Sequence, residues 1–360
     1  MTEDIYKKLA QRLDTIPNGF PATESGVELK LLAKIFSPQE AKLASIMRLT
    51  LEPAGEIAAR ADINSDQAEE MLREMARKGK VRARRAESQL VFGLMPFVVG
   101  IYEEQLPRMN EELARLFEQY YQETQGSGAV GKAPAVHRVI PVDEAISFDL
   151  EVFPYERATE LIENSKSWGV RKCICRVQQR LIGKGCDHPV ENCILFAPVE
   201  NAFDDSEATK PIPKEEALRL LHEAEEAGLV HSAANNQGQI FYICNCCTCC
   251  CGVIRGLTEF DNPMALARSD FRSVVDAELC TGCGECVERC PFEALAVPEE
   301  LCVVNYDRCV GCGLCASVCP TQALSLKRRS EGEMPKTPVD QNEWMAQRAQ
   351  ERGINISEVL

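Results

Sequence analysis

Cysteine is the residue whose placement along this chain promises chemistry. Nineteen cysteines are present, and none precedes Cys173. Eight of them repeat one spacing at a constant offset. Cys280, Cys283, Cys286 and Cys290 precede Pro291, and Cys309, Cys312, Cys315 and Cys319 precede Pro320. In a C-x2-C-x2-C-x3-C-P run, three thiolates on one tight loop wrap three corners of an iron–sulfur cubane. The fourth lies too far along the chain and reaches the other cluster. The expected ligand sets are therefore Cys280, Cys283 and Cys286 with Cys319, and Cys309, Cys312 and Cys315 with Cys290, for two [4Fe–4S] clusters. Gly282, Gly284, Gly311 and Gly313 would let backbone N–H groups approach the sulfurs. Zinc accepts four thiolates but does not require this swapped spacing. Cys302 falls outside both quartets, in the apolar stretch Leu301–Val304, and reads as a buried thiol.

Ten cysteines remain. Cys173, Cys175, Cys186 and Cys193 lie in CICRVQQRLIGKGCDHPVENC, and Cys244, Cys246, Cys247, Cys249, Cys250 and Cys251 lie in CNCCTCCCG. A run this dense points to a soft-metal site. The simplest partition in chain order gives Cys173, Cys175, Cys186 and Cys193 to one centre, and Cys244, Cys247, Cys250 and a neighbour to another. That would make one or two additional [4Fe–4S] clusters. Mixed ligand sets, one larger non-cubane cluster, zinc, and one cluster with free thiols stay open. Arg171, Lys172, Arg176, Arg180 and Lys184 could offset cluster charge or form a solvated basic face. His188 is at most a neighbour of the metal.

These cysteines need elements to hold them. The expected class is α+β. Residues 1–125 read as a winged-helix-like domain with flanking helices: Pro38 opens one helix, Ala54–Ala61 forms a second, and Ser65 caps a third that ends at Gly79. Val81–Arg85 and Gln89–Phe92 would pair as a hairpin. A helix with Met109, Leu113, Leu116, Phe117 and Tyr120 on one face follows, as core or as a homodimer contact. Gln125 to Ala135 reads as a linker. Residues 139–265 form a cysteine-rich α+β middle domain, with helices opening at Pro154 and Pro213 and strands at Val170–Cys175, Leu229–Ser232 and Ile240–Cys244. Residues 270–326 form a C-terminal two-cluster bacterial ferredoxin-like domain, and 327–360 a polar tail with one helix.

Net charge is −15. Such a surface disfavours generic nucleic-acid binding and suits docking to basic patches on partner proteins. The first ten residues carry charge and no apolar core of a signal peptide. Phe92–Ile101, the longest apolar stretch, is about half a membrane span. A cytoplasmic protein without a membrane span is expected. The chain has no G-x-G-x-x-G loop and no catalytic constellation, so catalytic residues remain unknown.

On KCICRVQQRLIGKGCDHPVENC, ICNCCTCCCG and the paired ferredoxin motifs, the chain resembles a family of 4Fe–4S ferredoxin-domain proteins common in anaerobic prokaryotes. The resemblance covers residues 139 to 326. It implies iron–sulfur binding and low-potential electron transfer, and it assigns no substrate. The expected role is relaying electrons between redox partners such as ferredoxin, a flavoenzyme or another oxidoreductase. Two alternatives remain: a redox-responsive DNA-binding regulator, for which Arg82, Arg84 and Arg85 could meet phosphates, and an iron–sulfur oxidoreductase subunit. Asp66, Glu69 and Glu70 on the third helix would face phosphates unfavourably, so protein docking is favoured over nucleic acid.

Overall fold

The computed structural model describes residues 2–86, 89–146, 152–238, 240–334, 336–358 and 360. Met1 and residues 87–88 of the expected first domain, and 147–151 of the second, lie outside the described residues. The chain divides into two compact units. One comprises 1–133, 178–183 and 345–360; the other comprises 134–177 and 184–344. Both helices and sheets contribute, so the class is mixed α+β.

The first unit is mainly helical. Ser37 opens the helix Pro38–Ala44 with a capping box: its hydroxyl accepts from the Glu40 N–H, and the Glu40 carboxylate accepts from the Ser37 N–H. The helix Ser65–Arg77 is capped one residue earlier than expected. The Asn64 side-chain oxygen accepts from the N–H groups of Asp66 and Gln67 and satisfies donors that Ser65, inside the helix, cannot reach. Strands β1 (Glu52–Pro53), β2 (Val81–Ala86) and β3 (Gln89–Leu94) form a small sheet in the order β1-β3-β2. The helix Glu111–Thr124 buries Leu113, Phe117 and Tyr120. The expected linker contains a short helix, Ser127–Val130, and its carbonyls at Gly128, Ala129 and Lys132 accept from the fully buried Arg348.

The second unit is organised by a sheet of seven strands: β4 (His137–Val139), β5 (Ser167–Lys172), β6 (Glu191–Ala197), β7 (Lys210–Ile212), β8 (Val230–Ala234), β9 (Tyr242–Cys246) and β10 (Leu266–Ala267). Their order is β10-β4-β8-β9-β6-β5-β7, antiparallel except for β10 against β4. The helices Ala158–Glu163 and Lys214–Glu226 cover the sheet, burying Ile162, Ala217 and Leu221 against Ile194, Phe196 and Ile243. Pro154 opens only a single 3-10 turn before the first of these helices. β9 sits two residues later than expected, which puts Cys244 and Cys246 on the strand itself.

The ferredoxin region belongs to this same unit. Strand β11 (Phe271–Val275) pairs antiparallel with β14 (Leu324–Arg328), and β12 (Leu295–Ala296) pairs with β13 (Val303–Val304). Short helices Glu285–Arg289 and Leu314–Ser317 follow the two cysteine loops. The module is tied to the region before it: the Val142 N–H donates to the Cys312 carbonyl at 2.9 Å, and Arg289 donates to the Glu226 carbonyl at 2.9 Å. The segment beyond Lys327 adds a helix, Gln341–Glu351, whose Trp344 is buried and donates to the Ala135 carbonyl. No helix among the described residues is long and apolar enough to cross a membrane.

Candidate metal centres

The repeated cysteine loops line two small cavities, and the cysteines sort between them as the swapped spacing requires. Cys280, Cys283, Cys286 and Cys319 line one of them, with Cys302, Val297 and Leu324. Cys309, Cys312, Cys315 and Cys290 line the other, with Phe292, Leu295 and Leu314. Each fourth cysteine thus stands with the other loop's triplet. The donor set, four thiols around an apolar-walled space, fits a thiolate-ligated cluster.

The loop backbone is shaped for this approach. Gly282 and Gly311 have φ values of +67° and +74°. A Cβ at Gly282 would stand 2.5 Å from the Glu300 carbonyl, and one at Gly311 would collide with the Phe271 carbonyl. Polar hydrogens face the sulfurs. The N–H groups of Ala294 and Cys302 donate to Cys290 and Cys280 at 3.3 and 3.4 Å, and the Ser273 hydroxyl lies 3.1 Å from Cys315. Burial pushes the Cys315 thiol up to about 12. Burial acts on Cys319 as well, but N–H groups at Leu324, Thr321 and Ala323 hold it below the ordinary thiol range. Cys302 is buried, and the Cys286 sulfur lies 3.6 Å from its own.

In the middle region the sheet gathers six thiols into a closed ring. Cys173 neighbours Cys175 and Cys193; Cys193 neighbours Cys244; Cys244 neighbours Cys246; Cys246 neighbours Cys251; Cys251 neighbours Cys175. Strand geometry explains this. Side chains two apart on a strand share a face, so Cys244 and Cys246 of β9 point the same way. Cys193 on β6 is one step beyond the cross-strand pair Ile194–Ile243, which sets it opposite Cys244. Cys173 follows β5, with its N–H on the Val190 carbonyl, Cys175 opens the helix Ile174–Leu181, and Cys251 caps the helix Gly252–Thr258.

The other four thiols form a second group. The sulfurs of Cys186, Cys247, Cys249 and Cys250 all lie within 4.8 Å of one another. Cys186 stands 4.0 Å from Cys247 and 3.6 Å from Cys250. Leu229 and Ala224 pack against Cys247 and Cys250. The grouping in space therefore corrects the one expected from chain order: Cys186 leaves the set of Cys173, Cys175 and Cys193, and those three are completed by Cys244, Cys246 and Cys251. Adjacent cysteines separate because Cys246 ends strand β9 while Cys247 begins the turn beyond it.

Arg176 stands beside both groups. It is fully buried, with Cys173 and Cys246 of the ring and Cys247 of the quartet as its nearest charge partners. Its guanidinium donates to the Pro189 carbonyl at 2.9 Å, the Asn192 side chain at 2.8 Å and the Asn245 carbonyl at 2.7 Å, while its Nε has no hydrogen-bond partner among the described residues. Of the basic residues singled out from the sequence, this is the buried one; Arg171 instead donates to the Thr209 hydroxyl. The contribution of Asn192 and Asn245, which hold the guanidinium and each other, is absent from the sequence reading: Asn245 donates to the Asn192 carbonyl at 2.6 Å, and His231 lies 2.7 Å from the Asn245 oxygen. The alternation Cys-Asn-Cys on one strand was the signal that could have found Asn245.

Residues 273–326 match the family model of the 4Fe-4S dicluster domain. No curated protein and no solved structure matches the chain. The match marks residues 273–326 as a 4Fe-4S dicluster domain and covers that segment alone.

Proposed function

We propose that the protein transfers single electrons at low potential through two [4Fe–4S] clusters, ligated by Cys280, Cys283, Cys286 and Cys319 and by Cys309, Cys312, Cys315 and Cys290. We assign a further iron–sulfur cluster to the ring of Cys173, Cys175, Cys193, Cys244, Cys246 and Cys251. The observation that carries the reading is the sorting of the ferredoxin cysteines into two cavities with the fourth ligands exchanged. Bound there, an iron–sulfur cluster supplies one-electron transfer. The chain supplies the rest. Val297, Leu295 and Leu324 exclude water, the Cys302 and Ala294 N–H groups stabilise sulfur charge, and Arg176 offsets charge in the middle region.

The acidic surface suits basic redox partners such as ferredoxin, a flavoenzyme or another oxidoreductase, in the cytoplasm. Residues 1–125 act as a winged-helix-like docking domain for such a partner. The exposed basic residues on its third helix support this over DNA binding, because Arg73 pairs with Glu69 and Arg77 with Glu74. The boundaries 139–265, 270–326 and 327–360 mark the middle, ferredoxin and C-terminal segments.

The test is iron and sulfide quantitation with reductive EPR titration on anaerobically purified protein. Two interacting cubane signals, with iron beyond the roughly eight that the ferredoxin motifs bind, are expected. A protein with no signal on reduction would defeat the reading. Eight irons alone would remove the ring cluster from it.

A further inference from the structure

The quartet of Cys186, Cys247, Cys249 and Cys250 differs in scale from every other thiol group in the protein. Its four sulfurs lie within 4.8 Å of one another. Among the described residues, neither ferredoxin set nor the six-thiol ring brings even three sulfurs that close together. A cubane interposes four irons and four sulfides between its thiolates and so spreads them apart. One tetrahedral ion does not. With metal–sulfur bonds of about 2.3 Å, four thiolates around it stand roughly 3.8 Å apart. The Cys186–Cys247 and Cys186–Cys250 separations of 4.0 and 3.6 Å bracket that value.

We propose that Cys186, Cys247, Cys249 and Cys250 bind one thiophilic metal ion, zinc or a lone iron without sulfide, as a tetrahedral structural centre. The pair Cys247-x2-Cys250 has the spacing with which structural zinc sites begin. Four thiolates around a divalent ion leave a net negative charge, and Arg176, buried against Cys247 with no carboxylate in ion-pair distance among the described residues, is the cation that meets it. Leu229 and Ala224 form the apolar wall behind the site. The ion would join the segment around Cys186, which has no regular structure, to the turn after β9 some 61 residues on. Metal affinity there is folding free energy, because the ligands converge only in the folded chain. The centre's role is to hold a shape, zinc there being redox-inert, and its single ion is counted apart from the ferredoxin clusters, so it stands or fails separately from them.

The test uses the full chain, purified without oxygen, with zinc, iron and sulfide counted. The unaltered protein is expected to hold one zinc, or one iron in excess of sulfide. Cys186→Ser and Cys249→Ser should each lose that single ion and keep the ferredoxin-type EPR signal at full intensity. Cys249 is exposed, so its replacement is the milder variant. Loss of about four irons together with four sulfides in either variant, or no change in metal content, would overturn the proposal. Should both variants fail to fold, the unaltered protein decides. A zinc absorption edge with four sulfur neighbours at about 2.3 Å, or iron exceeding sulfide by one, supports the site. Equal iron and sulfide with no zinc overturns it.

Discussion

The guanidinium of Arg176 lies against the sulfur of Cys247, sealed from solvent and without a carboxylate partner among the described residues. A guanidinium does not deprotonate inside a protein. Its charge must therefore be met by its neighbours, and those neighbours are Cys173, Cys246 and Cys247. A neutral thiol cannot do this; a metal-bound thiolate can. Three carbonyl oxygens hold the guanidinium, and the thiolates of the proposed metal centres would add the opposite charge.

Replacing Arg176 should therefore be costly in a particular way. Arg176→Met removes the charge and the three donors to Pro189, Asn192 and Asn245. Leaving buried opposite charge unpaired costs about 3–5 kcal/mol. Arg176→Lys keeps the charge but not the fork, and should fall between Met and the native residue. Thermal denaturation with metal counting checks the order, and equal stability of the three would contradict it.

The proposed exchange of fourth ligands makes a crossed prediction. Cys319→Ser should perturb the cluster held by the Cys280 loop, and Cys290→Ser the one held by the Cys309 loop. EPR of each variant paired with Cys283→Ser or Cys312→Ser reports this. Cys319→Ser with Cys283→Ser should damage one cluster, and Cys319→Ser with Cys312→Ser two. The reverse pattern would mean each loop keeps its own fourth cysteine.

A pH dependence follows from Glu225. Burial, and then the charge of Glu144, raise its carboxyl from 4.5 to about 7, and its Oε1 has no hydrogen-bond partner among the described residues. Below pH 4.5 folded and unfolded chains both hold the proton, and the group is neutral to stability. Between about 4.5 and 7 the unfolded chain releases it while the fold retains it. Stability falls as pH rises through that window, by at most roughly 3 kcal/mol. Glu225→Gln should flatten the slope and raise stability at pH 8. Denaturation from pH 4.5 to 8 checks this, and parallel curves for the two proteins would count against it.

Gly311→Ala should act on the backbone. The residue sits at φ +74°, and its new methyl would meet the Phe271 carbonyl and the Ser269 hydroxyl. The cost is at least about 1 kcal/mol, with reduced occupancy of the neighbouring cluster. Gly332, with nothing near its Cβ position, is the control.

The first unit can be asked directly about DNA. The exposed Arg84 and Arg85 lie on β2, while Asp66 and Glu70 are exposed in the first turns of the helix Ser65–Arg77. A gel-shift assay with genomic fragments should give no sequence-selective, salt-sensitive complex, reduced or oxidised. Such a complex, weakened by Arg84→Ala and Arg85→Ala, would reverse the assignment to protein docking.

The ferredoxin sites were legible because their information is local. A fixed spacing, a repeated loop and glycines at the crowded turns specify which thiols can reach one centre. The middle region was not, because membership there depends on which strands are neighbours. Nothing near Cys193 announces that β6 pairs with β9, and without that pairing Cys244 has no partner across the sheet. The two-residue shift of β9 had the same effect: it moved the boundary between Cys246, on the strand, and Cys247, in the turn. The cap at Asn64 was missed for a smaller reason, since Asn64 and Ser65 are both good caps and only the backbone geometry chooses between them.

The hydrogen bond from Val142 to the Cys312 carbonyl has a practical meaning. Ser269 donates to the Val310 and Gly311 carbonyls, and Arg329 to that of Cys309. Each of these three donors lies outside the span 273–326 that marks the dicluster domain. The span of the family match is thus narrower than the reach of the hydrogen bonds that hold the loop. A fragment cut at 273 and 326 would retain every thiol of both quartets and lose the backbone partners that hold one loop in shape. The piece that carries the recognisable chemistry is shorter than the piece whose hydrogen bonds shape it.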